Sequence, residues 1–227
     1  MPKRSLYKYF SKQEYADKFI DGELYFQTLS NFKSIEDNGV RGDHLEGVSV
    51  FEPATGLAVS NLTTGQSFVL EGYRFESAAQ ADHIYVFCMA STFSDRIAEQ
   101  FGAVACVEVI DTPKLCSLAT NSLPPGFIIP PVNNKRHLGH KVRYYDPAEP
   151  PETRWALPEL VAISKRLDFS WQNEFRLVFG RPSTFDFENT KLALTTGENK
   201  ESKLSSASQP VSVRICNIST ICKLHRF

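Results

Sequence analysis

The sequence predicts a mixed α+β protein with a mostly antiparallel sheet and short helices. Three observations carry that reading. Residues 84–89 (Ile-Tyr-Val-Phe-Cys-Met) and 175–179 (Phe-Arg-Leu-Val-Phe) are nearly continuous runs of apolar, β-branched and aromatic residues, as expected of strands buried on both faces. Between 48 and 70, short β-like pieces alternate with turns at Gly56 and Gly65, which is hairpin spacing. The stretches with helical character are brief and end at Gly or Asp-Gly.

Taken in order, residues 6–10 form a first strand, after which Ser11 is placed to cap a helix running to Ile20. Asp21-Gly22 stops that helix and opens a second strand at 23–26, which leads through Thr28 and Phe32 into a loop. The loop 36–47 packs four acids, Arg41, His44 and three glycines into twelve residues. It reads either as a solvated turn or as a rigid cleft loop with Arg41 held by carboxylates, and its oxygens do not follow EF-hand alternation. After the hairpins and the 84–89 strand, Ser94 or Asp95 caps a helix at 96–101 that Gly102 closes. A strand at 103–110, a helical piece at 111–118, a Pro-rich connection at 124–131 and a strand at 141–145 follow. Residues 157–166 read as helical and feed a strand from Trp171 to Phe179. The polar tract 195–209 reads as an exposed loop, and a last strand at 211–215 precedes a short tail.

With 227 residues, 42% hydrophobic and 12% aromatic, the chain is expected to form a single domain over 1–227 with a sizeable core. A formal charge of −1 excludes a global electrostatic signature of nucleic-acid or membrane binding. Five cysteines without CxxC spacing support neither a disulfide framework nor a zinc knuckle, so reduced, mostly buried thiols are expected. Without a signal peptide or an apolar run of about 18 residues, the expected location is cytoplasmic, with no membrane partner.

Several chemistries lack their motif. There is no GxGxxG after a strand, no GxxxxGK[ST] and no GxSxG. His137 and His140 have no Cys, Asp or Glu placed to complete a metal site. The acids around Asp37, Asp43 and Glu46 lack the second acid cluster that a metal-dependent nuclease needs. What remains is a set of polar strand ends: Tyr7-Lys8-Tyr9, Ser91-Thr92-Phe93-Ser94, and Gln172-Asn173-Glu174. On an extended chain Gln172 and Glu174 share one face, the arrangement of a cleft wall whose carboxylate meets a polar ligand; the plainer alternative pairs Glu174 with Arg176 at a sheet rim.

That order of motifs resembles ADP-ribosyltransferases. The opening Leu-Tyr-Lys-Tyr-Phe, the Phe-Cys-Met-Ala-Ser before a short helix, and Lys165-x5-Trp171-x2-Glu174-x-Arg176 look like the DUF2971-like families of bacterial and phage proteins, themselves similar to ADP-ribosyltransferases. The resemblance spans roughly 6–179 and implies an ADP-ribosyltransferase-like split sheet and a glycosyltransferase using NAD, of toxin or phage-defence type. It implies that Glu174 is the catalytic carboxylate and that Gln172 orients the acceptor. On the same resemblance Ser91, with Thr92, would support Glu174 and the cleft, or Ser91 would only cap the following helix; Arg4 or Lys8 would meet the pyrophosphate or be plain surface charges; Tyr7 or Tyr9 would stack on nicotinamide or be core tyrosines; and Arg41 and Asp43 would shape the entrance. Glu174→Gln is then expected to cost two or more orders of magnitude in turnover with folding largely intact.

The implied acceptor is macromolecular, a protein or a nucleic acid such as RNA or DNA, with an antitoxin or regulatory partner also in view. Lys135, Arg136, His137, Lys141 and Arg143 form either a local basic patch for phosphates or a solvated loop. Two alternatives share the scaffold: a non-catalytic module that binds a nucleotide or a partner, and an NAD glycohydrolase that releases free ADP-ribose.

Overall fold

The computed structural model describes residues 5–33, 40, 42–152, 154–196 and 209–227. Arg4, Asp37, Arg41 and most of the 195–209 tract lie outside the described residues. The fold is mixed α+β with mostly antiparallel sheets and a few short helices. In chain order the strands and helices are β1 (Leu6–Phe10), α1 (Gln13–Ile20), β2 (Glu23–Thr28), α2 (Leu29–Lys33), β3 (Val48–Phe51), β4 (Leu57–Ser60), β5 (Ser67–Leu70), β6 (Arg74–Ala78), β7 (Ile84–Ala90) and α3 (Asp95–Gln100). There follow β8 (Ala105–Val109), α4 (Thr112–Asn121), β9 (Gly139–Lys141), β10 (Arg143–Tyr145), α5 (Pro158–Val161), β11 (Ser164–Arg166), β12 (Glu174–Gly180), β13 (Lys191–Thr195), β14 (Val211–Arg214) and β15 (Cys222–Arg226).

The most apolar strand is the centre of the molecule. Along one edge of β7, β12 pairs antiparallel from Glu174 opposite Ala90 to Gly180 opposite Ile84, and β9 lies beyond β12. The other edge is shared. At its start β7 pairs with β2, through Gln27 opposite Val86 and Thr28 opposite Tyr85; at its end it pairs with β1 through one residue pair, Tyr7 opposite Ala90. Beyond β2 lies β14, and beyond β1 lie β8 and β15. Among the described residues no strand pairs with that edge of Phe87, Cys88 and Met89, so the sheet is open there.

Strand alternation sorts β12 between two cores. Leu177 and Phe179 join Phe26, Phe87 and Phe19 on one face, covered by α1 and α4; Val178 joins Ile84, Val86, Leu160 and Ile163 on the other. Glu174 and Arg176 share the Val178 face. Ser94 caps α3, its hydroxyl accepting from the Ile97 N–H, and Asp111 caps α4 through the Lys114 N–H.

Several expectations are corrected. Ser11 does not cap α1: Lys12 is the N-cap residue, with no side-chain hydrogen bond. Residues 29–33 are helical rather than loop. The strand expected at 141–145 divides, because the Val142 N–H donates to the Glu174 carbonyl while the Arg143 N–H donates to that of Ile163, handing the chain from β12 to the parallel pair β10–β11. The helix expected at 157–166 ends at Val161, and pairing with β10 overrides helix propensity in β11. The strand expected from Trp171 begins at Glu174, after the 3-10 turn Leu167–Gln172 and a left-handed Asn173 at φ 44°. The tail contains β15, a further strand beside β8. All five cysteines are free; Cys106 is buried and Cys216 exposed. No helix among the described residues is long and apolar enough to cross a membrane.

His140, on β9 beside Arg176, is 4% exposed, and its Nε2 has no hydrogen-bond partner among the described residues. Burial, reinforced by the nearby His137, lowers its pKa to about 4. The unfolded chain therefore takes up this proton near pH 6.5 and the folded chain only near 4. Stability is expected to fall as pH drops through that window, with a slope of at most about 1.4 kcal/mol per pH unit from this group. Urea unfolding at several pH values should show the slope, and His140→Gln should flatten it.

Candidate functional site

A cavity of about 670 Å³ opens where the sheet is open. Its walls are Tyr7, Lys8, Tyr9 and Phe10 from β1 and the facing residues Val86 to Ala90 from β7, with α1 and β2 alongside. Its polar floor is Glu46, Lys165, Gln172, Glu174 and Arg176.

Arg176 is the anchor of that floor, 1% exposed. Its Nε donates to Glu174 Oε1 at 2.7 Å and its Nη2 to Glu174 Oε2 at 3.3 Å. The other side of the guanidinium grips Glu46, Nη1 to Oε1 at 2.7 Å and Nη2 to Oε2 at 3.0 Å, and Nη1 also reaches the Ala162 carbonyl at 2.9 Å. All five N–H groups are thereby used, each fork meeting one carboxylate. Lys165 completes a quartet of two cations and two anions: its Nζ donates to Gln172 Oε1 at 2.9 Å and lies 3.4 Å from Glu174 Oε2 and 3.7 Å from Glu46 Oε2. It also sits 4.6 Å from the centre of the Phe169 ring.

Burial by itself would raise the Glu174 pKa, but the Arg176 and Lys165 charges outweigh it and hold the carboxyl well below the usual carboxylate range. Lys165 is raised by the same pairing against the opposing effect of burial. Burial pushes the neighbouring Cys88 thiol up, with the Glu174 charge adding to it. The floor therefore presents a fixed carboxylate with no free proton.

The backbone holds Glu174 from several directions. Its N–H donates to Tyr144 Oη at 2.8 Å. Tyr144 stands opposite Lys165 in the β10–β11 pair, so one small parallel sheet supplies both groups. Tyr144→Phe should orphan the buried Glu174 N–H and cost about 1 kcal/mol of stability, read from a shift in the urea midpoint. Asp43 takes the Leu45 N–H at 2.9 Å and forms the turn that points Glu46 inward. Both acids are 2% exposed, so at Asp43 and Glu46 the solvated-turn reading of the 36–47 loop is wrong; they bury because Arg176 and the turn amides satisfy them.

The residues singled out from the sequence fall into three groups. Glu174, Gln172, Tyr7, Lys8 and Tyr9 all line the cavity. Glu174, Ala90 and Tyr7 form one row across β12, β7 and β1, on the same face and with backbones roughly 10 Å apart end to end. Gln172 reaches the site by a route other than strand alternation: it ends the 3-10 turn, accepts from Lys165, and donates from Nε2 to the Val40 carbonyl at 2.7 Å. Lys8 lies on the other face of the sheet, its Nζ donating to the Cys88 carbonyl at 2.7 Å above the Phe87 ring. Ser91 and Thr92 are not among the cavity-lining residues; the Ser91 hydroxyl donates to the Asn173 carbonyl at 2.8 Å, clamping the residue before Glu174, and Thr92 is exposed. Arg41 falls outside the described residues.

Sequence reasoning missed the roles of Glu46, Lys165 and Tyr144; its plainer alternative anticipated the Glu174–Arg176 pair, which forms, but in the interior rather than at a rim. Arg176 carried a signal: a charge inside a strand that is otherwise apolar must bury against a counter-charge. Lys165 lay hidden in the expected helix.

The expectation that Glu174→Gln spares the fold also fails on this geometry, because the substitution leaves Arg176 and Lys165 with one carboxylate between them. Of the basic cluster, Lys135, Arg136, His137 and Lys141 are exposed and Arg143 pairs with Glu152. Among the described residues no group of three or more His, Cys, Asp or Glu is placed to hold a metal ion. Compared with protein-family models, with curated proteins and with solved structures, the chain matches none.

Proposed function

We propose that the protein is an NAD-dependent mono-ADP-ribosyltransferase acting on a macromolecular acceptor. The observation that carries this reading is the ionised, rigidly held Glu174 on the floor of a cavity lined by Tyr7 and Tyr9. A volume of about 670 Å³ lies within the roughly 300–1,000 Å³ range of small-molecule and cofactor sites, and the mixture of rings, cations and carboxylates, with Glu174 rigidly held, fits a dinucleotide. The opening of the sheet at a single β1–β7 pair supports a split-sheet, ADP-ribosyltransferase-like fold.

NAD supplies a ribose whose bond to nicotinamide breaks, the electron pair leaving with the nicotinamide nitrogen. Glu174 stabilises the positive charge that develops on the ribose, through a ribose hydroxyl. Its Oε2, with contacts at 3.3 and 3.4 Å against 2.7 Å for Oε1, is the less tightly held oxygen and the one that meets substrate. Arg176 keeps the carboxylate ionised and oriented without itself touching the ribose. Gln172, committed to Lys165 and Val40, acts as a positioning residue, and Tyr7 or Tyr9 offers a face to the nicotinamide ring. The acceptor nucleophile then bonds to the ribose carbon and releases its proton. A cytoplasmic toxin or phage-defence effector with an antitoxin or regulatory partner is the setting in which such an activity is expected.

A second reading, a binding module without transfer chemistry, is favoured by one observation: both Glu174 oxygens are already engaged by cations. Incubation with NAD labelled in its adenylate phosphate, with separate protein, RNA and DNA fractions of host cells, separates the readings. The transferase places label in one macromolecular fraction. Free ADP-ribose alone indicates a glycohydrolase, and intact NAD in every fraction overturns the enzymatic reading.

A further inference from the structure

We propose that single-stranded nucleic acid binds across the cavity mouth, with a base stacked on the exposed ring of Phe93. The assignment of that strand as the acceptor rests on the transferase reading; the surface itself is read from rings and charges.

Phe93 follows β7 on the turn into α3 and is 43% exposed. Its ring meets Tyr7 edge-on with centroids 5.6 Å apart, and Tyr7 lines the cavity. Centroids of Tyr9, Phe93 and Phe227 are 6.4, 6.0 and 6.2 Å apart, with planes within 31° of each other. Phe227 stacks against both Tyr9 and Phe93, and the His225 ring lies 5.1 Å from that of Phe93; Phe93 nonetheless stays exposed, as does Phe227, so ring surface remains open to a base. Phe101, also on the cavity wall, links Tyr9 to Trp171 at 6.4 and 6.0 Å. The Arg96 guanidinium lies 5.3 Å from the Trp171 ring.

Across the mouth, α1 repeats the pairing of cation and ring. The Lys12 ammonium lies 5.5 Å from the ring of Tyr15, which is 42% exposed, and Lys18 lines the cavity on the same helix. Acids are present too: Glu14 and Asp17 lie on α1 beside Tyr15 and Lys18, Asp95 and Glu99 share α3 with Arg96, and Glu23 on the cavity wall is 3.9 Å from Arg214, so the rim is a mixture of both charges.

Rings and cations that recur together along a rim match the repeat of a single strand, in which every nucleotide offers one flat base and one phosphate. A duplex hides its base faces and cannot use the rings. The platform is continuous with the cavity through Tyr7, Tyr9 and Phe101, so a base stacked on Phe93 lies at the entrance to the Glu174 chamber.

The test is fluorescence anisotropy of fluorescein-labelled 12-nucleotide RNA and DNA strands of mixed sequence, with their duplexes as controls and without NAD. Single strands are expected to bind more tightly than duplexes, with affinity falling as salt rises. Phe93→Ala should weaken binding by about tenfold while Phe93→Trp retains it. Arg96→Gln should weaken binding and lower its salt dependence, and it gives an independent reading if Phe93→Ala does not fold. No single-strand binding, or binding indifferent to both positions, overturns the proposal, as does ADP-ribose label confined to the protein fraction. NAD cleavage without acceptor distinguishes the two failures. NAD cleaved by a protein that binds no strand leaves the enzymatic reading of the cavity standing without the surface. Strand binding that depends on Phe93 with NAD intact supports the surface and removes the transferase.

Discussion

Replacing Arg176 with methionine is expected to cost about 3–5 kcal/mol of folding stability. The guanidinium is 1% exposed and bridges Glu46 and Glu174 through four of its five N–H groups. Without it, two buried carboxylates share only Lys165, at 3.4 and 3.7 Å. A loss of that size is a large part of the roughly 5–15 kcal/mol that holds a domain together, so urea denaturation should show a midpoint shifted far downward. The explanation is charge imbalance rather than lost contact area, and it makes a second expectation. Arg176→Met combined with Glu46→Gln restores balance by leaving the Glu174–Lys165 pair, and the double variant should be more stable than Arg176→Met alone.

Glu174→Gln should lower NAD cleavage by two or more orders of magnitude, because it removes the only charge proposed to stabilise the ribose in the transition state. It should also lower stability, since Arg176 and Lys165 lose a partner, so rates must be compared per folded molecule. The acid limb of the stability profile follows from the same group. The Glu174 pKa in the folded state lies below its unfolded value, so its contribution is complete above about pH 5 and is lost as pH falls through the carboxylate range. The loss from His140 comes first, between about pH 6.5 and 4, and Glu174 carries the slope below that window, so stability should decline in two successive stages as pH falls.

Much of this arrangement was legible in the chain, where local pattern and final structure agree. The β7 strand is a continuous apolar run and β12 is one interrupted by Arg176, and the Ser94 cap with Gly102 defines α3. The polar floor was legible only in part. Glu174 and Gln172 do meet in one cavity, but the strand alternation invoked for them does not apply, because Asn173 turns the chain left-handed between them. Their common point is Lys165, whose β11 strand lies at the end of a stretch with helical character, because three residues carry no period of their own. Glu46 and Arg176 are 130 residues apart in sequence, and no local pattern reports such a pairing. Ser91 shows the limit of carrying roles over by motif order: it grips backbone and does not line the cavity.

The central claim is that Glu174 acts on the ribose and is not merely one charge in a buried quartet. Glu46→Gln is the matched control, since it removes the other carboxylate of the same arginine and leaves the same charge imbalance. The decisive measurement is the rate of NAD cleavage per folded molecule for both variants, at a temperature where each is folded. The account predicts a loss of about 100-fold or more for Glu174→Gln and less than about tenfold for Glu46→Gln. Equal losses in the two variants, or a Glu174→Gln protein that still cleaves NAD at the original rate, would contradict it.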